Sequence, residues 1–318
     1  MNCLPIVFAL RKVNLLHMAQ IPALDFKTYV EKKRLERPGG GPEATGHEYA
    51  YISDRQTRAA FERMKAVELA VQSTVRVFKQ VGKGQLLGNA VKVSDKQFPR
   101  INGLVERCAS TLQIQAPAVY IVSSPVLNAA TYGTNDDAFI MVHSALIDHY
   151  TDDELLTVIG HECGHIHNQH VVYLTALHYL THAAGALLRV VGWALEPALI
   201  ALRAWSRRAE ITSDRAGMLC GKSSAVAERS LTKLALGSKK LYEEFNLDAF
   251  LEQYEEGKND LGRYMEVFAT HPWLPKRVLA MRQFAQSALY RKAAGLGEGG
   301  LSMTEVDDRV LALLKGDA

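Results

Sequence analysis

The 318-residue sequence predicts a mostly helical α+β domain with one small sheet. Three observations carry that expectation. Apolar residues recur at three- and four-residue spacings over most of the chain. Two short β-branched and aromatic runs lie between turn residues. A capping box at Thr151 opens a helix that carries two histidines four residues apart.

In chain order, residues 37–46 (Arg-Pro-Gly-Gly-Gly-Pro-Glu-Ala-Thr-Gly) form a linker that sets an N-terminal arm, 1–46, apart from the body, 47–292. From Asp54 to about Gln80, residues such as Phe61, Met64, Val67 and Val71 space as one long helix, and a second runs from Pro99 to Leu112. Ala118–Val122 and Ala138–Val142 read as strands, the latter after the turn-rich Gly133–Asp137. Beyond Gly221 the chain is helical in three segments, broken near Asn246, at 257–259 and at His271-Pro272. Residues 293–318 comprise a Gly-rich hinge and a short helix capped by Ser302 and Glu305. Such hinges could let a terminal arm cover a cleft, so deleting 293–318 is expected to raise turnover.

Composition narrows the function. At 48% apolar and 22% charged residues the chain is neither disordered nor fibrous. A net charge of +3 gives no electrostatic case for a nucleic-acid partner. Cys3, Cys108, Cys163 and Cys220 form no CxxC pair, so reduced thiols in the cytoplasm are expected. Residues 3–10 resemble a signal core, but Arg11-Lys12 follow it rather than precede it, the wrong order for export. The stretch 171–205 is rich in Leu, Ala and Val, yet Arg189 and Glu196-Pro197 interrupt it. A buried helical hairpin is expected there, with peripheral membrane contact as the competing reading.

The chemistry concentrates at His161-Glu162-Cys163-Gly164-His165, inside the helix that begins after Thr151. Four residues advance a helix by about 400°, so both imidazoles project from one face, one turn apart, and can reach a single zinc ion. Glu162 sits about 100° round the helix, beside the metal, where a carboxylate can take a proton from water. A catalytic zinc needs a third protein ligand. Glu210 and Asp214, again four apart, can divide the work: one carboxylate binds the metal while the other accepts an N–H from a ligating imidazole. His47-Glu48-Tyr49-Ala50-Tyr51 lacks the second histidine and is set aside. His167, His170, His178 and His182 read as surface or hairpin residues, and His143 and His149 as flanks of the second strand. Cys163 and Cys220 read as packing residues.

Together these residues resemble the zinc metallopeptidase family of the CAAX prenyl proteases and HtpX. The matching positions are His161, Glu162 and His165, then Glu210 with Asp214, then His271-Pro272 with Arg277, and upstream Asn128-Ala129 with Gly133. The likeness runs from about Gly88 to Arg282. Ser213 departs from it, standing where the family usually has alanine, and the long membrane helices of HtpX-type members are not evident.

The resemblance implies a gluzincin metallopeptidase-like domain with its HExxH motif on an active-site helix. It implies one zinc per chain, held by His161, His165 and Glu210, with Asp214 behind a ligand and Glu162 as general base. His271 becomes a candidate oxyanion stabiliser with Arg277 near it, or an inhibitory fourth zinc ligand, or simply a helix-entry residue beside Pro272. The strand holding Phe139, Ile140 and Met141 would take an extended substrate by edge pairing, near Asn128 and Ala129. The implied function is zinc-dependent cleavage of protein or peptide substrates, in quality control or processing. The competing reading is a non-proteolytic, chaperone-like zinc module with an occluded cleft.

Overall fold

The computed structural model describes residues 47–61, 64, 67, 71, 84, 87–135, 137–182, 188–256 and 273–315. They begin with helix α1 (Ile52–Phe61), strand β1 (Val91–Lys92) and helix α2 (Pro99–Leu112). Proline in the first turn of α2 suits a position with no helical N–H partner, and Gln113 ends it in the left-handed region at φ 55°. Next come β2 (Ala118–Val122), β3 (Ala129–Thr134), β4 (Asp137–His143) and the short α3 (Ser144–His149). The rest is helical: α4 (Asp152–His167), α5 (Val171–His182), α6 (Leu188–Gly221), α7 (Ser224–Leu236), α8 (Lys239–Glu244), α9 (Leu247–Glu256), α10 (Leu274–Ala285), α11 (Ala288–Ala293) and α12 (Met303–Lys315).

The sheet runs β1-β2-β4-β3. β2 and β4 are parallel, with Val119 opposite Ile140, whereas β3 and β4 form an antiparallel hairpin with Thr131 opposite Ile140. Alternation sends Val119, Ile140 and Val142 into the main core under α2, α4 and α6. Phe139 and Met141 face the opposite side, against Leu87, Tyr120 and Tyr132. A second cluster joins α1, α5 and α6 around Phe61, Tyr173 and Trp205.

Three expectations change. Gly133–Asp137 is not one turn: β3 extends through Gly133 and Thr134, and only the connection at 135–136 lies between strands. Its sequence, Ala-Ala-Thr-Tyr-Gly-Thr, is poor in β-branched residues and is held by pairing with β4 rather than by propensity.

Second, β4 is not an edge. Paired on both sides, it leaves Phe139, Ile140 and Met141 at 1%, 0% and 8% exposure, so none can receive a substrate backbone. The edge near the HExxH helix is β3.

Third, α12 is not a liftable arm. Val306 and Val310 are fully buried in the main core, each adding about 1.5–3 kcal/mol of apolar burial. Asp307 pairs with buried Arg215 of α6 at 2.7 Å.

The 171–205 stretch folds as α5 and the start of α6, with Val171, Ala176, Ala198 and Leu202 buried. Among the described residues no helix is long and apolar enough to cross a membrane. The single helix expected from Asp54 to about Gln80 is broken: α1 ends at Phe61 and Met64 is not helical, while Val67 and Val71 are helical again; most of the remainder lies outside the described residues, as does the linker at 37–46.

Candidate metal centre

Helices α4 and α6 supply the centre. The capping box of α4 forms as the sequence predicts: Thr151 Oγ1 accepts from the Glu154 N–H, and Glu154 Oε2 accepts from the Thr151 N–H at 2.9 Å. What presses the two helices together is glycine spaced four apart on each, Gly160 and Gly164 against Gly217 and Gly221. A Cβ on Gly164 would stand 2.6 Å from that of Ala216, and one on Gly217 would stand 2.6 Å from the Thr157 carbonyl oxygen. Both distances are well inside van der Waals contact, so a larger residue would push the helices apart.

The close crossing converges three ligand atoms. His161 Nε2 and His165 Nε2 are 3.1 Å apart, and each lies 3.6 Å from an oxygen of Glu210. Tetrahedral ligands about 2.0–2.1 Å from a zinc ion stand about 3.3 Å from one another, so the triangle fits that metal. The tautomer fits as well. Asp214 Oδ1 lies 3.0 Å from His161 Nδ1, and because a carboxylate only accepts, Nδ1 carries the proton and Nε2 turns its lone pair to the triangle.

Charge points the same way. Glu162, Glu210 and Asp214 are all nearly buried, and the Arg277 guanidinium donates to both Asp214 oxygens and lies 3.1 Å from Glu210. Burial alone would lower the pKa of His161, but the Asp214 hydrogen bond and the charges of Glu210, Asp214 and Glu162 outweigh it and hold the ring above its usual value. Burial would raise the Asp214 carboxyl, and Arg277 outweighs it downward. Buried carboxylates gathered beside two imidazoles are the donor set that suits a divalent ion.

Glu162 stands outside the ligand triangle. Its Oε2 accepts a 2.6 Å hydrogen bond from Thr131 Oγ1, on β3. Beside it is a cavity of about 110 Å³ whose polar wall includes Asn128, His161, Glu162 and Arg277, and whose apolar wall includes Val158, Leu231 and Met281. Ala129 lines it too. Asn128 C=O is taken by the His143 N–H, so by antiparallel alternation the N–H and C=O of Ala129 point away from β4, along the free edge. At the far end of β3 the Gly133 N–H is already taken by Thr175 of α5.

Of the residues singled out from sequence, His161, Glu162, Glu210, Asp214, Arg277, Asn128 and Ala129 line this cavity, and His165 joins His161 and Glu210 in the ligand triangle behind it. Phe139, Ile140 and Met141 do not line it. His271 lies outside the described residues. Cys163 and Cys220 are buried packing residues. The sequence reading missed Thr131 altogether; of its two readings for His170, surface or hairpin, the surface one fails, since His170 is fully buried against His165 at the entry to α5. The Gly-x-x-x-Gly spacing was visible in the string; nothing in it tied Thr131 to Glu162.

The family model for peptidase family M48 matches residues 95–285. A plastoglobule-localized metallopeptidase 48 of Arabidopsis thaliana chloroplasts is 35% identical over 217 residues, covering 64% of this chain and 62% of that protein. A protease HtpX homolog of Moorella thermoacetica is 26% identical over 237 residues, covering 64% of this chain and 78% of that one. A protease HtpX homolog 1 of Streptomyces coelicolor is 29% identical over 219 residues, covering 58% and 71%. The match spans about three fifths of the Arabidopsis relative's length.

Proposed function

Because the chain belongs to the metallopeptidase family M48, we propose that it is a zinc-dependent endopeptidase with the ion held by His161, His165 and Glu210. The observation that carries this reading is the ligand triangle with Glu162 standing beside it at the mouth of a cavity. A zinc ion bound there supplies Lewis acidity, polarising a carbonyl and making water more acidic.

The remaining work belongs to the chain. Glu162 takes a proton from the attacking water and returns it to the leaving amine. Thr131 fixes one oxygen of that carboxylate, so the other is aimed rather than free to rotate. Arg277 holds Asp214 and Glu210 in place, and Asp214 in turn holds His161. An extended substrate pairs with the Ala129 end of β3, in place of the β4 edge expected from sequence. Such pairing reads backbone, so selectivity falls to the apolar wall at Val158, Leu231 and Met281, which suits an apolar side chain. Edge pairing requires an extended segment, which makes unfolded protein the first substrate to test, in keeping with a role in quality control or processing. His271 retains its sequence-based candidacy as an oxyanion donor.

The test is hydrolysis of an unfolded protein by wild type and Glu162→Gln, with zinc measured in both. Activity in wild type, lost by at least about a hundredfold in a variant that keeps its zinc, supports the reading. Equal inertness of two zinc-loaded proteins would favour the non-proteolytic module instead.

A further inference from the structure

A buried chain of groups reaches the centre from the other side. α4 ends at His167, and Gln169 adopts a left-handed conformation at φ 59°, a strained choice for a side chain of this kind. That turn swings His170 back, its backbone N–H donating to the His165 carbonyl at 2.9 Å. His170 Nδ1 then lies 3.1 Å from His165 Nδ1, and His170 Nε2 lies 3.0 Å from Asp54 Oδ2 on α1, 116 positions away in sequence. Asp54 is 1% exposed and also accepts from Trp205 Nε1 at 2.8 Å and Thr212 Oγ1 at 2.7 Å.

The donor directions follow from the carboxylate. Asp54 receives three donors and so is an acceptor throughout, which obliges His170 Nε2 to carry a proton. In a neutral ring Nδ1 is then a lone pair. The neighbour it accepts from is His165 Nδ1–H, and this leaves His165 Nε2 as the lone pair that faces His161 and Glu210.

Ser213 Oγ lies 3.0 Å from the same His165 nitrogen, a hydroxyl that can share that proton. His161 is oriented by Asp214 directly, whereas the Nδ1 side of His165 reaches the Asp54 carboxylate through the intervening ring of His170.

We propose that Asp54, acting through His170, is a positioning residue for His165: it fixes the ring's tautomer and its aim at the metal, and so ties helix α1 to metal affinity. This rests on the zinc reading above. The alternative is a satisfied polar cluster that only supports the fold.

The test uses the full chain. The zinc dissociation constant is measured by chelator competition, and the cobalt-substituted protein is followed by its visible d–d bands. His170→Phe and Asp54→Asn are expected to weaken zinc binding about ten- to a hundredfold and to shift the cobalt bands. His170→Asn, which keeps an acceptor near His165, is expected to bind more tightly than His170→Phe. Trp205→Phe removes another donor from Asp54 but spares the relay; it should lower the melting temperature while leaving zinc affinity within about threefold.

Tautomers in the wild-type zinc protein, read from imidazole proton–nitrogen spectra, need no folded variant: protons on His165 Nδ1 and His170 Nε2 are expected. A proton on His170 Nδ1, or a folded His170→Phe with wild-type affinity and bands, overturns the relay. Wild type that binds no zinc overturns the metal reading itself.

Discussion

Thr131 Oγ1 donates to Glu162 Oε2 at 2.6 Å, joining the edge strand of the sheet to the residue that follows the first histidine of the HExxH helix. The strand along which substrate is proposed to lie and the carboxylate proposed to move the proton are thereby registered to one another. Any shift of β3 is felt at Glu162.

Thr131→Val removes that bond at nearly constant volume. We expect kcat to fall about ten- to a hundredfold with zinc content unchanged, because the base is misaimed rather than lost. Steady-state kinetics alongside elemental analysis checks this. An unchanged kcat would show that Glu162 is aimed by other contacts.

Glu210→Ala should lose zinc outright after dialysis, since two imidazoles alone leave the site incomplete. Asp214→Asn should keep the three ligands but weaken binding about ten- to a hundredfold, through loss of the carboxylate that orients His161. Chelator competition separates the two, and full zinc in Glu210→Ala would move the third ligand elsewhere.

Gly164→Ala places a Cβ 2.6 Å from that of Ala216 at the α4–α6 crossing. Overpacking there should cost about 1–3 kcal/mol and reduce zinc affinity as Glu210 moves off the histidines. Gly103→Ala, with nothing within 4 Å of the added carbon in α2, should stabilise by about 0.5–1 kcal/mol. Urea unfolding of both variants measures the contrast.

Glu154 supplies a pH signature away from the metal. Burial would raise its carboxyl, but bonds from Lys233, the Thr151 N–H and Arg229 outweigh burial and hold it below its ordinary 4.5. A carboxyl depressed on folding contributes stability that is present above pH 4.5 and lost as pH falls through the folded value. Glu154→Gln should be less stable at neutral pH, with an unfolding free energy that declines less on acidification below 4.5. Denaturant titrations across that range decide it; parallel profiles would remove Glu154 from the acid response.

Deletion of 293–318 should lower stability rather than raise turnover. It strips Val306 and Val310 from the core and leaves the buried Arg215 guanidinium without Asp307, and breaking a buried pair costs about 3–5 kcal/mol. A truncated chain with wild-type melting temperature would restore the idea of a separable arm.

Much of this was legible in the string, because the signals are local. The helix from Pro99 to Leu112, the strand at 118–122 and the capping boxes at Thr151 and Ser302 are set by neighbours within a turn, and the structure has them at those places. The spacings His161/His165 and Glu210/Asp214 likewise fix which side chains share a helix face. β3 was not legible, since its strand character comes from pairing with β4 rather than from its residues. Nor was the edge: which strand is central depends on sheet order, β1-β2-β4-β3, which no periodicity encodes.

By itself, then, the sequence determined the helix faces and the metal-binding donor types, because i to i+4 geometry is a property of a single helix. Only the tertiary structure decided that α4 and α6 cross on paired glycines, that Glu210 arrives 3.6 Å from both histidines, that Thr131 meets Glu162, and that Asp54 stands behind His170. Those relations join residues 31 to 116 positions apart. They exist because a closed, close-packed core admits few arrangements of its elements, and that selection is made by packing rather than by any local run of residues.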